Sequence, residues 1–141
     1  MKIQFQKLFD DTVLPTYTHV GDAGMDLRTR EAKTLAPGER YCFKTGFAMA
    51  VPEGYVGLVW DRSGLALKEG LTCLAGVVDS GYRGEVGVVT LNTSDKDIKI
   101  EKGDRVAQML IQPIEICDII EADKLSESER GKGGFGASGK K

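Results

Sequence analysis

Histidine occurs once in this sequence, at His19, and the three cysteines, Cys42, Cys73 and Cys117, stand far apart. No set of four nitrogen or sulfur ligands for a structural zinc can be assembled from so few residues at such spacing. A cysteine nucleophile with His19 as its base has no local motif behind it. An odd number of dispersed cysteines with no secretory signal ahead of them reads instead as reduced thiols, and the expected setting is cytoplasmic. Long apolar runs are also missing. The longest falls far short of the ~18 residues that a membrane span needs, so no membrane association is expected. Neither sign of charge dominates, since 19 basic and 21 acidic side chains leave a formal charge of −2. With no basic excess to neutralise its backbone, nucleic acid is not an expected partner.

Proline is scarce, with 4 residues, while glycine is plentiful, with 18 in 141. That glycine content is well above the roughly 7% of average chains, and it calls for many tight turns and few long helices. Hydrophobic residues at 41% and charged residues at 28% describe a soluble globular chain able to bury a core. Short apolar segments rich in β-branched and aromatic residues alternate with Gly, Pro, Asp or Asn. They predict eight strands, at residues 3–8, 24–28, 40–50, 55–60, 71–78, 85–92, 98–100 and 105–116. Only residues 63–69 read as helix, opened by Ser63 as a candidate cap. The class is all-β: a sandwich, a jelly roll or a distorted barrel.

From Glu121 the composition changes, and residues 126–141 contain almost nothing to bury. Alone, such a tail is expected to be disordered. Its single aromatic, Phe135, lies among glycines with no periodic apolar neighbours. The chain therefore divides into a barrel domain over 1–125 and a flexible C-terminal segment over 126–141.

Two carboxylates lie in unusual company: Asp26 within Ala23-Gly24-Met25-Asp26-Leu27, and Asp79 after Gly76-Val77-Val78. An acid at the end of an apolar strand needs partners or a task. Residues 134–140 fit the glycine and lysine spacing of a Walker loop, but no buried strand precedes them and no helix follows, so that reading fails. What remains is a run of unencumbered backbone N–H groups near Arg130, Lys132 and Ser138, suited to phosphate oxygens. Arg62-Ser63-Gly64, ahead of the short helix, has the same character.

In order, these segments resemble the five motifs of the trimeric deoxyuridine triphosphatases (dUTPases). The motifs correspond to residues 23–27, 62–68, 76–85, 103–108 and 130–139. The resemblance implies a distorted jelly-roll-like β-barrel that assembles as a homotrimer with active sites shared between subunits. It implies hydrolysis of dUTP to dUMP and pyrophosphate, which removes dUTP from the nucleotide pool and supplies dUMP for dTMP synthesis.

The resemblance also implies roles. Asp79 would be the general base for a water attacking the α-phosphorus. The backbone of the hairpin carrying Gly76, Val77 and Val78 would pair with uracil, and Gly87 would approach the base through its own backbone. Tyr82 would pack on the deoxyribose and exclude a 2'-hydroxyl. Arg62, Ser63 and Gly64 would hold the phosphates with Gln108, which would act at the α-phosphate or the water. Asp26 and Arg105 would form a buried, supporting ion pair. In the tail, Arg130 would contact the γ-phosphate, Phe135 would stack on uracil, and Gly136 and Ser138 would complete a closing lid. Mg2+ would bridge the phosphates, held by substrate oxygens and water rather than by protein ligands.

The sequence departs from the family at Lys132, where a hydroxyl residue is common, at Ala137, where serine is common, and at Asp61, where proline often stands. An acid beside a phosphate site must point away from it. The related dCTP deaminases need a glutamate in a Thr-Leu-Glu context, but this chain has Thr90-Leu91-Asn92, and an amide cannot shuttle that proton. A non-catalytic binding module using the Gly-rich tail is the other alternative, and turnover of deoxynucleotides separates the three.

Overall fold

β-Branched residues at alternate positions set the framework. Residues Glu85–Asn92 (β8 in the order below) bury every second side chain, so that Val86, Val88, Thr90 and Asn92 face inward. The computed structural model describes residues 1–134, in which ten strands and one helix follow in order. These are β1 (Gln4–Lys7), β2 (Met25–Arg28), β3 (Lys33–Leu35), β4 (Arg40–Ala50), β5 (Tyr55–Trp60), α1 (Ser63–Glu69), β6 (Leu71–Cys73), β7 (Val77–Val78), β8, β9 (Ile98–Ile100) and β10 (Arg105–Pro113).

All pairings between them are antiparallel. One four-stranded sheet runs β1-β4-β8-β6, a second runs β2-β10-β5-β7, and β3 pairs with β9. Their inner faces enclose a core around Leu27, Phe43, Phe47, Val88, Val106 and Met109. Phe5 meets Phe47 edge to face with ring centroids 5.6 Å apart. The result is the expected distorted jelly-roll-like barrel. Among the described residues no helix is long and apolar enough to cross a membrane.

The expected strand over 71–78 is two strands. Ala75 has φ 63 and Gly76 has φ 128, a backbone that turns the chain out of the ladder between β6 and β7. Lys33–Leu35 pairs with β9 although its three residues carry too little pattern to read as a strand. The last strand stops at Pro113, not at residue 116. Ser63 is not a cap: Arg62 occupies the N-cap with extended backbone and no side-chain hydrogen bond, and Ser63 is the first helical residue. Gly70, left-handed at φ 77, ends the helix.

Candidate active site

Strand β5 separates two clefts. Neighbouring residues on a strand point to opposite faces. Val59 accordingly lines one cleft, of about 200 Å³, and Trp60 lines the other, of about 480 Å³. No residue lines both.

The first cleft is walled by β7, the turn after it and β8, and it gathers Gly76, Val77, Val78, Asp79, Tyr82 and Gly87. Gly76 shapes its floor: the Gly76 carbonyl accepts the Val59 N–H at 2.8 Å, and a Cβ at Gly76 would stand 2.7 Å from the Val59 carbonyl oxygen. The Tyr82 ring lies over Gly84, where a Cβ would collide with it, and its hydroxyl donates to the Glu85 carbonyl at 3.0 Å. Asp79 is exposed, and its carboxylate has no hydrogen-bond or ion-pair partner among the described residues. The apolar stretch before it ends at Val78, which is buried, and the turn carries the next residue outward.

The second cleft gathers Asp26, Arg62, Ser63, Gly64, Arg105 and Gln108. Strand order explains the meeting, since β10 lies between β2 and β5 with Gln108 opposite both Asp26 and Trp60. Asp26 is the hub. Its Oδ2 accepts from Arg105 at 3.0 Å and from the Thr18 hydroxyl at 2.8 Å, while its Oδ1 faces Arg62 Nε at 3.1 Å. Burial pushes the Asp26 carboxyl upward, but the Thr18 hydroxyl, Arg105 and Arg62 outweigh it and hold the group below the usual carboxylate value. The pair with Arg105 is thus a triad, and it is half-buried, since the arginine side chain is 36% exposed.

Arg62 Nη1 donates to the Arg105 carbonyl at 3.3 Å, leaving donors on both terminal nitrogens. Gln108 Nε2 donates to the Asp61 carbonyl at 2.8 Å, and its side chain rests against Gly24. The Asp61 carboxylate turns away from the cleft toward Thr72 and Cys73. Thr18, Trp60 and the steric role of Gly24 are not apparent from the sequence. Thr18 is brought in by a single bridge between Thr16 and Asp26, which no local pattern announces.

Arg130 lines neither cleft, and its Nε donates to the Gly133 carbonyl at 2.8 Å within a pair of turns. Phe135, Gly136, Ala137 and Ser138 lie outside the described residues. Asn92, where a deaminase would need its glutamate, is fully buried, lines neither cleft and donates to the carbonyls of Leu35 and Lys96 at 3.0 and 2.7 Å.

A family profile described as dUTPase matches residues 10–139. The chain belongs to the dUTPase family. It is 48% identical over 142 residues to the deoxyuridine 5'-triphosphate nucleotidohydrolase of Thermobifida fusca (strain YX), covering 99% of this chain and 79% of that relative. It is 46% identical over 140 residues to the enzyme of the same description from Clostridium tetani (strain Massachusetts / E88), covering 98% and 97%. Among solved structures, the Staphylococcus bacteriophage 80alpha dUTPase with dUPNHPP superposes with a TM-score of 0.92 at 33% identity, covering 98% of both chains. A mutant dUTPase from phage phi11 of S. aureus, described for its coordination of a structural Mg(II) ion, superposes at 0.84 with 27% identity, covering 90% of this chain and 100% of that one.

Proposed function

We propose that this chain hydrolyses dUTP to dUMP and pyrophosphate as a homotrimer in which the first cleft of one copy meets the second cleft of another. One observation carries the reading: the base-suited and phosphate-suited halves are both well formed, yet lie apart on opposite faces of β5. A chain with two half-sites back to back completes a site by pairing with its own copies.

In the assembled site the backbone of β7 and of Gly87 reads the uracil edge. Tyr82, fixed by the Glu85 carbonyl, packs on the sugar and leaves no room for a 2'-hydroxyl. Arg62, oriented by Asp26, offers its terminal nitrogens to phosphate oxygens, and Gln108 donates at the α-phosphate. Asp79 accepts the proton of the attacking water as its oxygen bonds to the α-phosphorus. The bond to the β-phosphate oxygen then breaks, and pyrophosphate leaves. Exposed in a single copy, Asp79 loses solvent when the second half-site covers it.

Mg2+ fits as a companion of the substrate. No group of three His, Cys, Asp or Glu among the described residues is placed to hold a metal, and Asp26 is engaged by two arginines. Mg2+ would be held by phosphate oxygens and water, and when bound would neutralise phosphate charge. Arg130 would serve the γ-phosphate of this site, and the roles that the family resemblance implies for Phe135, Gly136 and Ser138 fall outside the described residues. A cytoplasmic setting belongs to the same reading, supported by the three free cysteines.

Product analysis of dUTP, dCTP, dTTP and UTP with Mg2+ tests the activity. Pyrophosphate and dUMP should come from dUTP alone. Ammonia from dCTP, or no turnover of any, refutes it. Sedimentation should give about three times the 15.3 kDa chain mass, and a fully active monomer would remove the shared site.

A further inference from the structure

Asp61 stands where its charge should do harm, directly before Arg62 and beside a cavity assigned to triphosphate. Its carboxylate nevertheless pairs with no arginine. Oδ2 accepts from the Thr72 hydroxyl at 2.8 Å, and Oδ1 accepts from the Cys73 backbone N–H at 2.5 Å. Arg62 turns its Nε to Asp26 instead. The backbone carbonyl of the same residue accepts Gln108 Nε2 at 2.8 Å. Asp61 thus holds three groups: two on β6 through its side chain, and one on β10 through its peptide.

These three contacts lie at the junction of the two half-sites. Cys73 ends β6 and leads into Leu74, whose N–H donates to the Val89 carbonyl in the wall of the base cleft. Gln108 and Arg62 line the phosphate cleft. Hydrogen bonds to an ionised carboxylate are shorter and stronger than neutral ones, so the side chain fixes the peptide plane whose carbonyl orients Gln108. We propose that Asp61 is a positioning residue that locks the phosphate-binding turn to the entrance of the base-binding hairpin, acting through Thr72, Cys73 and Gln108. This rests on the hydrolase reading above.

The test compares Asp61→Ala, Asp61→Asn, Thr72→Val and the Asp61→Ala/Thr72→Val double variant, with kcat and KM for dUTP measured on the full chain. Asp61→Ala should lower kcat by about 10- to 100-fold, the scale of an ångström-sized misplacement, with a smaller change in KM. Asp61→Asn should recover most of kcat, because its carboxamide oxygen still accepts the Cys73 N–H and its nitrogen can donate to the Thr72 hydroxyl. Thr72→Val should reproduce part of the loss, and the double variant should be no worse than Asp61→Ala. Wild-type kcat in Asp61→Ala, equal damage in Asp61→Asn and Asp61→Ala, or losses that multiply in the double variant would each overturn the proposal. If Asp61→Ala does not fold, Asp61→Asn and Thr72→Val decide it by the same criteria.

A readout independent of turnover separates this proposal from the hydrolase reading. Burial and the Asp61 carboxylate push the Cys73 thiol up to about 12. Removing the carboxylate also frees the Cys73 N–H and with it the end of β6, so iodoacetamide labelling of the half-buried Cys73 thiol, followed by peptide mapping at mildly alkaline pH, should speed up. Wild-type protein that releases no pyrophosphate from dUTP sinks the reaction, while unchanged labelling in Asp61→Ala sinks the lock.

Discussion

Gly24→Ala puts a single methyl group against a single side chain. Gly24 does not have a left-handed φ, so its backbone accepts alanine. The new Cβ would stand 2.5 Å from Gln108 Oε1 and 3.1 Å from both Gln108 Cβ and Cδ, well inside the ~3.5 Å of a relaxed carbon contact. Nothing else lies nearer, so Gln108 Cβ, fixed to its backbone, must give slightly, and the severe Oε1 clash is relieved by swinging the amide away. That breaks its hydrogen bond to the Asp61 carbonyl, at a cost of about 0.5–1.5 kcal/mol. Alanine offsets part of this by restricting the unfolded chain, worth about 0.4–1 kcal/mol. Net stability therefore changes by less than ~1 kcal/mol, a shift of at most about 4 °C in Tm for a chain of this size. Catalysis has no such compensation. If Gln108 donates at the α-phosphate, kcat should fall by about 10- to 100-fold. The assay is pyrophosphate release across a range of dUTP concentrations, with a thermal melt on the same preparation. Adding Gln108→Ala to Gly24→Ala should cost nothing further. A folded Gly24→Ala variant with undiminished kcat refutes the role of Gln108.

Asp79→Asn should bind dUTP normally and turn it over ~100-fold or more slowly, as loss of a general base requires, and near-normal turnover in a folded variant dismisses the assignment. The Asp26 carboxyl is held below its usual value, so its pairing stabilises the fold fully above that value and is lost as pH falls below 3.8. Urea titrations at several pH values should show that acid-side loss shrink in Asp26→Asn, and an unchanged acid limb would contradict it. Asp26→Ala, leaving two arginines without a counter-charge, should destabilise by about 1–3 kcal/mol in the same titration. Truncation after residue 125 should leave Tm and the number of copies in the assembly intact while lowering kcat at least ~10-fold, and full activity would show the tail to be idle.

Length alone does not decide what the sequence announces, since Ile98–Ile100 is read with its observed bounds while Lys33–Leu35, equally short, is not. Residues 40–50, 55–60 and 85–92 have enough β-branched and apolar residues for their bounds to be read directly, and the helix over 63–69 is equally plain. Lys33–Leu35 is invisible because its three residues become a strand only by pairing with β9, sixty-odd positions later. The break at Ala75 and Gly76 is hidden within what reads as one apolar run. Members of the site were legible as motifs, but their pairings were not. Asp26 was matched with Arg105 alone because Arg62 joins them only through the β2-β10-β5 order. Asp61 reads as an obstacle because Thr72, whose hydroxyl donates to its carboxylate, carries no motif of its own.

The back-to-back clefts have a genetic consequence. On the shared-site reading, a copy with a ruined base cleft still lends a sound phosphate cleft to its neighbour, and the reverse holds for a copy damaged at the phosphates. Two variants that are each strongly impaired alone, one altered at Asp79 and one at Gln108, should regain turnover beyond the average of the two when they co-assemble, because some junctions then join two intact halves. Lesions in this short chain would thus sort into two complementation groups, and β5 would be the boundary between them.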